Sequence, residues 1–314
     1  MNHAFSTTDR SRRGFLAEVG RGALIASLGA SLAGDLGIAL GGALGEPAQD
    51  GQDRLTFGPM EPLVGLMQET SADRLIAVVV ERIQQGTSLK DLVAAAALAN
   101  ARTFGGEDYV GFHTMMALAP ALHMTNELPA DRQALPVLKV LFRNTNRIQE
   151  FGGPSKEVLH QVAPAAGRHD GATLRQAVRA KDLNQAEKVF AAIAGEGPDN
   201  AFNQLLFAVQ DNTEVHRTVL PYRSWDLLGL IGDQQAATLL RQSVHYCVKS
   251  ERDWKHTEEH DRPRVLLPRL MDQYKLEAGV SSPTRAADDA WVDRMSRTIF
   301  EGSPDQAAEA VAAA

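Results

Sequence analysis

The chain has 314 residues, 44% hydrophobic and 23% charged, a composition that excludes a mainly disordered, collagen-like or polytopic membrane protein. It carries 32 basic against 39 acidic residues, a formal net charge of −7, which argues against a whole-protein footprint for nucleic acid. The single cysteine, Cys247, leaves no intrachain disulfide, and only 6% aromatic residues beside abundant Ala and Leu favour helices over sheets.

The N-terminus reads as an address. Ser11-Arg12-Arg13-Gly14-Phe15-Leu16 precedes a weakly apolar run from Gly22 to Gly34. Paired arginines, a bulky residue two positions on and a modest apolar stretch together resemble a twin-arginine (Tat) signal, with Arg12 and Arg13 as the recognised pair. An amphipathic surface helix is the plainer alternative, but the run is Gly-rich and lacks a polar face. Asp35 interrupts the stretch, and a membrane span needs about 20 apolar residues. Ala43 and Gly45 offer a cleavage site before Glu46, and Ser31 and Ala33 an earlier one. The expectation is a signal peptide over 1–45, the Tat translocase as partner, release into the periplasm or medium, and no stable membrane span after cleavage. The Tat resemblance further implies export in the folded state, often with a cofactor already inserted.

Residues 46–60, rich in Pro, Gly and Asp, read as a linker. Beyond it the pattern predicts an all-α protein. Helices are expected over 71–86, from Ser88 to the Gly105-Gly106 pair, over 108–124 with an interruption at Pro120, and over 131–147. Val78-Val79-Val80 could be taken for a strand, but its flanks have helical period. After Gly152-Gly153-Pro154, further helices are expected near 155–164, 172–181, 184–195, 199–211, 213–230 and 233–249. A charged helical stretch over 252–275 and a last amphipathic helix over 288–300 follow, and the Ala-rich end from Ala307 is expected to fray.

An internal repeat stands out. Asp108-Tyr-Val-Gly-Phe-His113 and Asp211-Asn-Thr-Glu-Val-His216 share the pattern D-x4-H at an offset of 103 residues, each followed by a proline, Pro120 or Pro221. At an offset of 102, Leu138 matches Leu240 and Phe142 matches Val244. This predicts two similar helical units, 61–150 and 172–250, about a pseudo-twofold axis, with a connector over 151–171 and a C-terminal extension over 251–314. Asp108 and Asp211 are natural N-caps of equivalent helices.

His113 and His216 are then either half-buried side chains bonded to neighbours or partners facing each other across the axis. In the second case they are metal ligands or acid/base groups. His123, nearly three turns after His113, and His245, on the last helix of the second unit, are candidates to complete a transition-metal site. The Met-rich stretch from His113 to Met124 would suit copper, or is simply core methionine at helical spacing. His245 and Cys247 point apart on a helix, which leaves Cys247 as a small buried hydrophobe. His256 and His260 have i, i+4 spacing, but Thr257 stands where a zinc protease has Glu, so a solvated charged face is the better reading. No dinucleotide fingerprint, Walker A, Cys-x-x-Cys, haem-attachment or Gly-x-Ser-x-Gly motif occurs.

The segments Gly111-Phe112-His113 to His123, Val215-His216 to Gly232, and Ala236 to Tyr246 are similar to an uncharacterised all-helical domain that elsewhere accompanies a Rieske iron–sulfur domain. More distantly they look like questin-oxidase-type helical proteins. The likeness covers about residues 90 to 250 and implies functional weight at His113 and His216 alone. The Rieske ligand motifs are absent, so an iron–sulfur role does not transfer. Two functions follow as expectations. One is an exported protein with a histidine-lined pocket between two helical units, acting as a metal-dependent oxidoreductase. The other is a non-catalytic helical binding or scaffold protein of the cell envelope.

Overall fold

The computed structural model describes residues 54–253, 256–276 and 287–314, and the expected signal, with Arg12 and Arg13, lies outside them. Every regular element of the described chain is a helix, and its one β-type contact is an isolated antiparallel bridge between Arg54 and His160. Among the described residues no helix is long and apolar enough to cross a membrane.

The first five helices are α1 (Glu61–Glu69), α2 (Ala72–Gln84), α3 (Leu89–Phe104), α4 (Tyr109–Thr125) and α5 (Leu135–Phe151). After an extended connector come α6 (Gly171–Arg179), α7 (Leu183–Ala194), α8 (Pro198–Val209), α9 (Val215–Ile231) and α10 (Ala236–Asp253). The chain ends in α11 (Glu258–Asp261), α12 (Pro263–Tyr274), α13 (Asp289–Glu301) and α14 (Pro304–Ala313).

Sequence explains the two helices at the centre. Ser88 caps α3 by accepting from the Asp91 amide at 3.0 Å, and Gly105 ends it in the left-handed conformation. Between them every residue from Leu92 to Phe104 is buried. Six alanines in that run let α1, α4, α5, α9 and α10 all pack on α3, because small side chains permit close helix approach. Helix α10 plays the same part for α6, α7, α8 and α9, and α3 packs against α10. The core is therefore continuous from Phe57 to Val248.

Several expectations change. Helix α4 runs unbroken through Pro120, and α9 through Pro221, since each proline removes one ladder donor without stopping the helix. Val78–Val80 is helical, as the flanking period requires. The helix expected over 155–164 is absent. Residues 153–155 form a single 3-10 turn, and the Val158 and Leu159 amides instead donate to the Arg102 carbonyl at 2.9 and 3.0 Å. The stretch 252–275 is not one helix but the end of α10, then α11 and α12. The tail is helical from Pro304 to Ala313. Ser303 and Gln306 form a reciprocal capping box at the start of α14, and Glu309 binds Arg269 of α12 at 2.9 Å.

Residues 54–60, the last part of the expected linker, are tied to the fold. Phe57 is buried, and Arg54 donates to Glu157 at 2.9 Å. The fully buried Arg102 gathers this region by donating to the Leu55 carbonyl at 2.8 Å and to Glu61 at 2.7 Å. Gln68 and Glu157 are its other partners.

Candidate functional site

Helices α4 and α9 pack against each other, and their first turns bring His113 and His216 together. The ring centres lie 5.3 Å apart with the planes at 76°. Tyr109, Phe112 and Tyr246 surround the pair. The Phe112 ring lies 4.9 Å from that of His216, Tyr109 lies 4.4 Å from His113, and Tyr246 lies 5.5 Å from Phe112. The cluster reaches the surface: Tyr109 is 62% exposed, while Phe112 beneath is buried.

The two helix starts are built differently. Asp108 caps α4 as its sequence suggests, accepting from the Gly111 amide at 2.7 Å. Its carboxylate also takes a forked pair of bonds from Arg147 of α5 at 3.0 and 2.7 Å, which holds the Arg147 pKa above its ordinary value. Asp211 does not cap α9, contrary to the expectation from the repeat. It is fully buried and bound by Arg175 and Arg179 of α6, at 2.7 and 2.6 Å. The cap is Glu214, three residues later, which accepts from the Arg217 amide at 2.9 Å. A glutamate is a poor N-cap by propensity, so this assignment was not visible in the sequence.

Both imidazoles are held at Nδ1. That of His113 lies 2.6 Å from the Tyr109 carbonyl oxygen, and that of His216 bonds a Glu214 carboxylate oxygen. A carbonyl and an ionised carboxylate can only accept, so each Nδ1 carries a proton and, in the neutral form of the ring, the lone pair is on Nε2. Burial raises the Glu214 pKa, but the bonds from His216, the backbone and Tyr246 outweigh it, and the net shift is downward. The Tyr246 hydroxyl, which donates to Glu214 at 2.9 Å, is shifted upward by burial and by that carboxylate.

The other two candidate ligands lie elsewhere. His123 is exposed in the last turn of α4. Ten residues fall about 80° short of three full turns and span about 15 Å along the axis, so the shared face was an overestimate. His245 is buried with a carboxylate on each side: Nδ1 is 2.9 Å from Glu107 and Nε2 is 2.7 Å from Glu187. Burial lowers its pKa, but the two carboxylates outweigh that, and it is raised overall. The Glu187 pKa is pushed up by burial and more strongly down by His245 and Arg241. His245 is therefore an imidazolium clamping the α3–α4 turn to α7 rather than a free ligand. Gly105 and Gly106 make this possible. Both have positive φ, and a Cβ on Gly106 would lie 2.7 Å from the Gln242 carbonyl of α10.

Among the described residues no group of three or more His, Cys, Asp or Glu side chains is disposed to hold a metal ion. His160 takes part through its backbone, its carbonyl accepting from Arg241 at 2.7 Å. His256 precedes α11, whereas His260 lies within it, so the two do not share a continuous helix. Cys247 is buried, and burial pushes its thiol pKa up. Two surface concavities carry no histidine: one lies between α1 and α2 beside Arg74 and Arg82, the other between α12 and α14 beside Arg269 and Glu309. Glu214, Tyr246, Tyr109 and Phe112 escaped the sequence reading, although Glu214 stands two residues before a histidine already singled out. Comparison of the chain with protein-family models, with curated proteins and with solved structures finds no match.

Proposed function

We propose that the protein is exported by the Tat route and binds a transition-metal ion at the contact of two duplicated helical units, through Nε2 of His113 and of His216. The observation that carries this reading is the pair of adjacent imidazoles with both Nδ1 atoms occupied. A histidine that donates its other ring N–H to a carbonyl or carboxylate is the usual arrangement of a metal ligand. Two imidazoles on one tetrahedral ion at about 2.0–2.1 Å per bond would have ring centres roughly 5 Å apart, close to the spacing found. Two protein ligands leave coordination positions open for water or substrate, which suits metal-dependent redox or Lewis-acid chemistry. The shared D-x4-H spacing and the proline that follows each histidine support the duplication, although the two helices begin at different caps.

Elemental analysis of protein recovered after native export tests the reading. A stoichiometric transition metal is expected in the wild type, and its loss in the His113→Ala/His216→Ala double variant. Protein that is metal-free and takes up no copper, zinc or nickel on titration would overturn it. The second reading, a non-catalytic envelope binding protein, draws on exposed Tyr109 and Val215 beside the pair and is favoured by that outcome.

Export has its own test. Arginine presents a planar fork of donors and lysine a point charge, so exchanging them at a recognised pair is not conservative. Arg12→Lys/Arg13→Lys is expected to leave the protein in the cytoplasmic fraction. Wild-type levels outside the cytoplasm would exclude the Tat route.

A further inference from the structure

We propose that the two ligands of this site are unequal: His216 is the anchoring ligand, and Glu214 and Tyr246 are the positioning residues that make it so. The inference rests on the metal-binding reading above and ranks its parts.

The inequality starts in what holds each ring. His113 leans on a neutral backbone carbonyl four residues back in its own helix, at 2.6 Å. His216 leans on a carboxylate. A charged acceptor at Nδ1–H draws the proton toward itself and raises electron density at Nε2, which makes the ring a stronger donor to a cation. That carboxylate is itself fixed. One Glu214 oxygen serves His216, and the other accepts the Arg217 amide and the Tyr246 hydroxyl, each at 2.9 Å. Tyr246 reaches in from α10, so the bond ties the start of α9 to a second, more deeply packed helix.

Packing does not distinguish the two rings: the buried Phe112 ring lies 4.9 Å from that of His216 and 5.5 Å from that of His113, and Tyr109 lies against both. The difference lies in the acceptor at Nδ1. His216 has a preset tautomer and a charged partner, and His113 has the tautomer alone. Imidazole donors with no protein thiolate or carboxylate in direct contact suit borderline divalent cations, copper, nickel and zinc, over calcium or magnesium.

The test is calorimetric titration of the full chain with Cu²⁺, Ni²⁺ and Zn²⁺, using wild type, Glu214→Gln, Tyr246→Phe, His113→Ala and His216→Ala. Glutamine can still accept the Arg217 amide at the helix start but no longer presents a carboxylate to the ring. Glu214→Gln is expected to weaken binding by about 10–100-fold, the usual loss when an outer partner of a ligating histidine is removed. Tyr246→Phe should weaken it in the same direction by less. His216→Ala should cost more affinity than His113→Ala. In the Cu²⁺ paramagnetic resonance spectrum, the nitrogen couplings of Glu214→Gln should shift from wild type, a change in the metal's own coordination that loss of helix stability alone would not produce. If wild type binds no ion, the metal reading falls and this inference with it. If wild type binds but Glu214→Gln and Tyr246→Phe bind equally well, or His113→Ala costs as much as His216→Ala, the metal reading stands and the ranking is overturned.

Discussion

Glu251→Ala is expected to cost about 3–5 kcal/mol of stability, the range for breaking a buried ion pair by removing one partner. Glu251, on α10, is 1% exposed, and its carboxylate receives Arg217 at 2.8 Å and Arg264 at 2.6 Å. Arg217 is fully buried. Without Glu251 its guanidinium would keep the Ala208 carbonyl and the Cys247 thiol, with Asp211 as the remaining nearby carboxylate, and a charge short of its ion-pair partner inside a core carries a large desolvation penalty. Arg264 is 14% exposed and can turn to water, so most of the cost falls on Arg217. The control is Arg217→Met/Glu251→Leu. Replacing a whole buried pair by apolar side chains is often near neutral, so the double variant should recover most of the loss. Denaturant unfolding of the three proteins decides the matter. Equal losses in the single and double variants would mean that the carboxylate matters for packing, not for charge.

Such networks mark the limit of what the sequence could reveal. Ser88 with Asp91, the Gly105 stop and the Asp108 cap are local signals, with partners within four residues, and each was legible. His113 and His216 were singled out by the shared D-x4-H spacing, with facing rings as one of two readings, and the structure sets their ring centres 5.3 Å apart. What the repeat could not convey is which acidic residue does the capping. Asp211 keeps the spacing of Asp108, yet two arginines on α6 claim it, and the cap passes to Glu214. The connector was misread for a similar reason. Residues 155–164 have helical composition, but the Val158 and Leu159 amides bond a carbonyl at the end of α3, and long-range bonding overrides weak propensity. The partners of His245 lie 138 and 58 residues away, and no spacing rule reaches that far.

The position of His245 also bears on the candidate site. Glu107 immediately precedes Asp108, the cap of the helix that carries His113. His245 immediately precedes Tyr246, which holds the Glu214 carboxylate beneath His216. The buried clamp and the surface pair therefore share both of their backbone supports. A change at His245 should displace the rings of His113 and His216 relative to each other even though it touches neither.

His245→Leu is accordingly expected to destabilise the fold by about 3 kcal/mol, the low end of the range for a broken buried pair. Leucine would leave Glu107 and Glu187 facing each other with no cation between them. Glu107 is 36% exposed and keeps its water, so the penalty rests on Glu187, which is 13% exposed and retains Arg241 at 3.5 Å. For a domain of this size about 3 kcal/mol corresponds to a fall of roughly 6–12 °C in Tm, readable by thermal unfolding. The pH profile separates charge from packing. The pKa of His245 is raised in the fold, so its contribution is full below the ordinary histidine value of about 6.5 and is lost as pH rises through the folded value. The pKa of Glu187 is lowered, so its contribution is present above the ordinary value of about 4.3 and is lost as pH falls through the folded value. His160 and Arg241 are the other charged or titratable groups acting on Glu187. Wild-type stability should therefore decline on the alkaline side above about pH 6.5, and His245→Leu should lack that decline. A variant that is less stable yet keeps the same alkaline slope would show that His245 supports the fold by shape alone, and that the proton it shares with Glu107 and Glu187 is not what joins the α3–α4 turn to α7.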